Sequence, residues 1–365
     1  MLNRDDFGRK KGVIFMPKIK LGVIFGGMST ENEVSVVSAK NILENLNNVK
    51  YEIYPIYIDK DGMWYEYTGK YVDLKMNKTP EKTKKINNPM EYIQRLDAIF
   101  PVLHGLYGED GTIQGIFELL KKPYVGCKVL ASSVGMDKVY TKIILEKAGI
   151  NQTKSRYIRK FKDIYIYVKD DFDEEILQLD EACKKLQEEI KYPMFIKPSN
   201  SGSSVGVNKA ENIEELKQAI KKAEIYDNKI LVEQGIEGKE VECAVLGNEE
   251  VIAGEVGEII AADEFYSYDA KYNNRESKTI IPANISKEKK EEIKKIAIKA
   301  FKAIDGKGLS RVDFFVENKT GKIYLNEINT MPGFTQISMY PKLMEAYGIQ
   351  YSELLDRIIK LALNK

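Results

Sequence analysis

The stretch RVDFFVENKTGKIYLNEINTMPG, residues 311–333, reads as a buried β-hairpin with four polar side chains among apolar ones. Arg311, Asp313, Glu327 and Asn329 stand between Val, Phe, Ile and Leu, and burying charges without partners is costly. Strand side chains alternate between two faces. With an odd number of loop residues in the turn ENKTGK, Asp313 faces Glu327, Arg311 faces Asn329, and all four share one face. Val312, Phe314, Val316, Tyr324 and Ile328 then cover the other face, whereas an even loop breaks the pairing. The shared face offers two carboxylates and an amide oxygen, hard donors suited to Mg²⁺ or Mn²⁺ and not to zinc. Glu327 and Asn329 lie about 6–7 Å apart along a strand, close enough to bracket one ion. Arg311 adds a permanent cation for an anion in the same place. The competing interpretation is a buried ion-pair network that merely tolerates its charges. Because such pairs rarely stabilise on balance, the metal interpretation is favoured.

A Mg²⁺ site of this kind usually meets phosphates, so a phosphate cradle is expected elsewhere in the chain. No G-x-x-x-x-G-K-[ST] occurs, which excludes a standard P-loop. The candidate is IKPSNSGSSVGV (196–207), where Gly202 and Gly206 let backbone N–H groups approach an anion and Lys197 stands at the strand end. Taken alone this is an ordinary Gly/Ser turn; paired with the carboxylate hairpin it becomes a site. Lys138, in GMDK, is a second phosphate candidate that without this context is a surface helix lysine.

The bulk numbers narrow the field. At 365 residues, two or three domains are the default. Fifty-six Lys and Arg against 55 Asp and Glu leave a net charge of +1, which argues against nucleic acid or an anionic membrane as partner. No apolar run approaches the ~20 residues of a membrane span, and the charged N-terminus does not resemble a secretory signal. Cys127, Cys183 and Cys243 are an odd number and far apart, so neither a disulfide framework nor a zinc site is supported. A reduced, cytoplasmic protein is expected. The single histidine, His104, excludes any site that needs two His ligands.

Along the chain, residues 1–17 read as a flexible tail. KIKLGVIFGG predicts a buried strand, and the following helix is expected to start with a Thr30/Glu33 capping box. Strands YEIYPIYID and DAIFPVL, the loop HGLYGEDG, helix TIQGIFELLKK and strand-like PYVGC complete an α/β domain over 18–125. Residues 126–236 follow with helix DKVYTKIILEKAG, a strand at RYIRKF, a charged helix around 173–191, and strands on both sides of the Gly/Ser turn. Residues 237–365 hold the strands KEVECAVLGN and EEVIAGEVGEI, an irregular segment taken as a mobile loop at 262–280, a helix near 287–305, the hairpin and a C-terminal helix.

These pieces together resemble the D-alanine–D-alanine ligase family of ATP-grasp enzymes. The resemblance runs from about residue 18 to the C-terminus and rests on GVIFGGMSTENEVSVVSA, FPVLHGLYGEDGTIQG, MDK, FIKPSNSGSSVGV, YDAKY, SRVDFF and NEINTMPGFTQISMYP. It implies a three-domain ATP-grasp fold, α/β with an α+β ATP-binding part and an N-terminal Rossmann-like domain. It also implies ATP-dependent joining of two D-alanine molecules with two Mg²⁺ ions (Mn²⁺ as substitute), and a homodimer through the first domain. By the same resemblance Lys138, Lys197 and Lys271 would contact phosphates, Glu233 the adenine amino group with Gln234 and Ile236 beside it, and Glu240 the ribose. Asp313, Glu327 and Asn329 would carry the metal. Glu31 would hold the first D-alanine's ammonium with His104 lining that subsite and Glu109 as outer partner, and Ser203 and Tyr272 would tether the loop to Glu31. Arg311 and the Gly333 amide would form the oxyanion hole, and Ser338, with Met339 next to it, would meet the second D-alanine's carboxylate. Related D-alanine–D-serine and D-alanine–D-lactate ligases are the alternative within the family; Tyr272 and the uncharged Met339 favour D-alanine.

Two readings from other classes compete. GVIFGG after a strand suggests a nicotinamide oxidoreductase, but G-x-G-x-x-G is missing and Asp59, the acidic candidate on the next strand, reads more simply as a turn residue. A silent ATP-binding module is disfavoured by the full set of lysines, arginine and acids.

Overall fold

The structure, a computed structural model, describes residues 17–260 and 278–364. Its first sheet has the order β4-β3-β2-β1-β5, with β1 Ile19–Gly26, β2 Tyr51–Ile58, β3 Trp64–Tyr67, β4 Thr83–Lys85 and β5 Ala98–Val102. β1 runs parallel to β2 and β5, the arrangement that a near-continuous apolar run predicts when both faces are covered. Leu21, Val23 and Phe25 enter one core, and Ile24 enters another with Ile56 and Ile99.

Helix α1 (Asn32–Asn45) does not begin with the expected capping box. Glu31 occupies the capping position, and Ser29 instead accepts from the Glu31 N–H at 3.1 Å. Glu33 turns outward to the Asn77 amide and Lys60. PYVGC is not a strand either: Tyr124 makes one isolated parallel bridge to Ile99.

Helices α2 (Pro89–Gln94), α3 (Thr112–Leu119), α4 (Val129–Met136) and α5 (Lys138–Lys147) lead to a second sheet, antiparallel throughout, with the order β10-β9-β11-β6-β7-β8. Its strands are β6 Ser155–Phe161, β7 Ile164–Val168, β8 Glu174–Leu177, β9 Met194–Pro198, β10 Asn208–Ala210 and β11 Lys229–Gln234. The charged helix expected over 173–191 is α6, Leu179–Glu189. Residues 174–177 pair with β7 instead, and Gln178 with Glu181 closes a capping box that fixes the helix start. Helix α7 (Ile213–Ala223) escaped the sequence reading, although Leu216, Ala219, Ile220 and Ala223 have helical spacing and pack with α6 on this sheet.

The third sheet, β14-β13-β12-β15-β16, joins β12 Gly238–Gly247, β13 Val251–Ile260, β14 Lys278–Ile280, β15 Gly308–Glu317 and β16 Ile323–Asn329. Helix α8 (Lys287–Ala303) covers one face with Ile293, Ala297 and Phe301. Helices α9 (Met339–Ala346) and α10 (Tyr351–Leu363) cover the other and also complete the core of the first sheet.

Candidate active site

The hairpin pairs Asp313 with Glu327 and Arg311 with Asn329, but not by the route the turn suggested. Near the turn Val316 pairs with Ile323, leaving six residues between them, an even number. An irregularity after Asp313 corrects the phase: Phe314 pairs with Leu325, so Asn326 is an extra residue in β16. This β-bulge turns Asn326 toward the Lys197 ammonium (3.3 Å) while Glu327 still opposes Asp313. It also moves Tyr324 opposite Phe315 and makes Leu325, not Tyr324, part of the buried face.

The polar face is tightly wired. Arg311 donates from Nε and Nη2 to the two Asp313 oxygens at 2.7 Å each, and its Nε lies 3.0 Å from Glu242 on β12. Asn329 Nδ2 donates to Asp313 Oδ2 at 3.0 Å. Burial alone favours a neutral guanidine, but Asp313 and Glu242 hold Arg311 charged, well above its usual range. Glu242, 3% exposed, was missed in the sequence although it alternates with buried Val241 and Cys243, the same signal that marked the hairpin. No three His, Cys, Asp or Glu side chains converge among the described residues. The donor set is two carboxylates and one amide, and this all-oxygen chemistry fits Mg²⁺ or Mn²⁺.

Lys197, at the end of β9, lies 2.5 Å from Glu233, which also meets Lys142 at 2.6 Å and accepts from Thr153 at 2.8 Å. Burial would raise the Glu233 pKa, yet the two ammonium groups bring it far below the carboxylate range. Burial likewise opposes the charge on Lys197, and Glu233, Glu327 and Glu240 restore it. Three of about four acceptor sites on Glu233 are thus taken. The Gln234 N–H bonds the Lys154 carbonyl at 2.9 Å, so that amide is committed to the sheet, and Ile236 follows in the link to β12. Glu240, on β12, pairs with Phe315 across the sheet. Lys142 and Thr153 carried no motif signal. Lys138 opens α5 behind the cap Asp137 and donates to the Ser201 carbonyl at 2.6 Å.

A cavity of about 450 Å³ lies where the three sheets meet. Glu31 enters it from the start of α1 and accepts from Ser203 Oγ of the Gly/Ser turn. A Cβ at Gly105 or Gly202 would collide with the Glu31 carboxylate, so both positions need glycine for this approach. Glu109 accepts from the Gly105 amide at 2.7 Å and the Met331 amide at 3.1 Å; burial, then the charge of Glu31, raises its pKa. His104 is 4% exposed, with Nδ1 3.1 Å from the Met331 carbonyl and Nε2 3.1 Å from Ser38 Oγ. Nδ1 therefore carries the proton. Arg311, Gly333, Ser338 and Met339 line the far wall. Met339 is itself largely buried, close against Gly257. Lys271 and Tyr272 lie outside the described residues. The dinucleotide alternative fails here, because the Gly26 amide that would face a pyrophosphate is bonded at 2.7 Å to Ser35 Oγ at the start of α1.

Two family models match the chain: D-ala D-ala ligase N-terminus over residues 20–127 and D-ala D-ala ligase C-terminus over 164–360. A D-alanine–D-alanine ligase of Caldicellulosiruptor bescii is 49% identical over 364 residues, covering 96% of each chain. One of Clostridium acetobutylicum is 49% identical over 95% of this chain and 99% of its own. Among solved structures, the VanG D-Ala:D-Ser ligase of Enterococcus faecalis superposes with a TM-score of 0.82 at 38% identity, covering 95% of this chain and all of that one. The D-alanine–D-alanine ligase of Coxiella burnetii gives 0.81 at 34%, covering 95% and 94%. Fold and cavity define an ATP-grasp carboxylate–amine ligase. Within that class, the chain belongs to the D-alanine–D-alanine ligase family.

Proposed function

We propose that the chain joins two D-alanine molecules into D-alanyl-D-alanine, consuming ATP and releasing ADP and phosphate, for peptidoglycan precursor synthesis. The observation that carries this is the meeting of Glu31, Arg311, Glu327, Asn329, Gly333 and Ser338 around one cavity, brought there by the start of α1, the two strands of the hairpin and the segment that leads from it to α9. A carboxylate is a poor acyl donor. An oxygen of the first D-alanine therefore attacks the γ-phosphorus of ATP and ADP leaves, giving an acyl phosphate. The amine of the second D-alanine, having lost a proton, attacks the acyl carbon; the tetrahedral intermediate then expels phosphate. Glu31 holds the first substrate's ammonium, and neutral His104 fixes the segment that carries Gly333. Arg311 and the Gly333 amide meet the oxyanion, a contribution of about 3 kcal/mol for one good donor. Lys138 and Lys197 hold the nucleotide phosphates, with Glu233, Gln234 and Ile236 at the adenine and Glu240 at the ribose. Asp313, Glu327 and Asn329 would hold Mg²⁺, or Mn²⁺, which supplies charge neutralisation at the phosphates. The loop expected over 262–280 ends earlier, because 278–280 form β14 and pair with β13. Lys271 and Tyr272 act from the part that precedes it, which closes over the substrates, with Tyr272 joining Ser203 and Glu31. The enzyme works in the cytoplasm as a homodimer through its N-terminal domain; no described helix is long and apolar enough to cross a membrane.

The likeness to a D-Ala:D-Ser ligase gives a second reading, in which D-serine or D-lactate is the second substrate. Met339 opposes it: the position is apolar and packed, with no group to meet a serine hydroxyl. Phosphate release with ATP, Mg²⁺ and D-alanine, D-serine, D-lactate or L-alanine tests both. D-alanine alone should support rapid release; a preference for D-alanine plus D-serine or D-lactate would establish the alternative, and indifference to chirality would remove both.

A further inference from the structure

The cavity wall at the start of α9 carries a cation with no role in the reaction described above. Thr335, Ile337, Ser338, Met339 and Lys342 line this end. Ser338 directly precedes α9 and Lys342 is its fourth residue, so the i, i+4 spacing sets the two on one helix face. Arg311, paired with Asp313 and Glu242, already serves the oxyanion in the reaction above, and Lys138, beside the Ser201 carbonyl, serves the nucleotide phosphates. Lys278, the remaining cation of the wall, is exposed at the start of β14. Lys342 is half-buried, with Tyr340, Pro341, Leu343 and Met344 around it buried. Among the described residues its side chain makes no hydrogen bond or ion pair.

The acceptor amino acid keeps its carboxylate unreacted while its amine forms the new bond. Moving that anion from water into a partly buried pocket is costly unless positive charge meets it. Ser338 is neutral, and its hydroxyl already bonds the Thr335 amide at 3.0 Å and the Thr335 hydroxyl at 2.8 Å. The first turn of α9 contributes partial positive charge only. We propose that Lys342 is the charged part of the acceptor-carboxylate site and selects acceptors with a free α-carboxylate. The inference rests on the ligase reading and adds to it a specificity residue.

Phosphate release measured against D-alanine concentration for wild type, Lys342→Met and Lys342→Arg tests the assignment. Lys342→Met should raise the half-saturating D-alanine concentration of the acceptor site about tenfold or more, as expected for a lost hydrogen bond to a charged group. Its kcat should stay within about twofold, with the KM for ATP unchanged. Lys342→Arg should restore the acceptor site to within about threefold of wild type. An unchanged acceptor site in Lys342→Met overturns the proposal, as does a kcat loss without that shift, the result expected if Lys342 instead pairs with acids of the 261–277 segment. Failure of the ligase reading is distinguishable, since wild type itself would then release no phosphate in response to D-alanine.

Discussion

His104 shows how one side chain can hold two parts of the site together. Its ring bridges the Met331 carbonyl and Ser38, and Ser38 Oγ in turn accepts from the Phe334 amide at 3.2 Å. Burial, followed by the neighbouring charge of Arg311, lowers its pKa to about 4 despite the Met331 carbonyl. The folded-state value thus lies below the unfolded one near 6.5, and between them the unfolded chain binds more protons. Stability is therefore full above about pH 6.5 and falls as the pH drops toward 4, by up to roughly 3 kcal/mol for this group. Because the chain has one histidine, its ring signals in NMR are unambiguous. They should not titrate between pH 8 and about 5.5, and His104→Gln should remove part of the acid-side loss seen in urea unfolding. A midpoint near 6.5 in the native protein would show that the ring is solvated and not bridging. The sequence placed His104 at a strand end where α/β sheets bind ligands, but its tautomer depends on Met331, 227 residues away, which no local pattern reveals.

At the scale of the element, the hairpin's function depends on one residue too many. Asn326 lets Leu325 stay in the core and Glu327 stay opposite Asp313 although the turn has the wrong parity. Deleting Asn326 would leave Leu325, Glu327, Ile328 and Asn329 in simple alternation, so the pairing and the buried face survive. What changes is the local bend, and with it the aim of Glu327 and the contact to Lys197. The deletion should keep the unfolding free energy within about 2 kcal/mol of wild type. Phosphate release should fall on the order of a hundredfold, the cost of roughly 1 Å of misplacement at a reacting centre. Near wild-type turnover would mean that the bulge has no role in the site. This element also marks what the sequence could convey. The polar residues and their shared face were legible, because charges between Val and Phe need a reason. The bulge was not, because Asn326 beside Glu327 reads equally as an outward strand residue. Likewise PYVGC has strand composition but only one bridge partner, and the start of α1 was misplaced because Ser29 competes with Thr30 for the capping role.

At the scale of the molecule, sheet boundaries and core boundaries do not coincide. The second sheet has a core of its own, from Ile158 to Val232, built with α6 and α7. The first and third sheets share one: Leu21, Val23 and Phe100 belong to the same cluster as Ala244, Leu246 and Leu309. Helix α10 makes the join, touching β5 and α1 on one side and β12 and β15 on the other. Its apolar period was legible in YSELLDRIIKLAL, but not that its two flanks serve sheets more than 130 residues apart in sequence. Glu31, His104 and Glu109 are therefore held against the hairpin by a common core, whereas the Gly/Ser turn approaches on a separately packed unit through Ser203 and Lys138. Cooperativity should follow the cores. Ile358, fully buried on α10, tests this. Ile358→Ala should cost about 2–5 kcal/mol, as large-to-small core changes do. In native-state hydrogen exchange, protection should fall together in β1, β5, β12 and β15, while β6, β9 and β11 keep theirs. Loss confined to the third sheet would show that the first folds on its own and that α10 is only its lid. Loss spread equally over the second sheet would make the whole chain one unit, leaving the Gly/Ser turn no independent freedom to open the cavity.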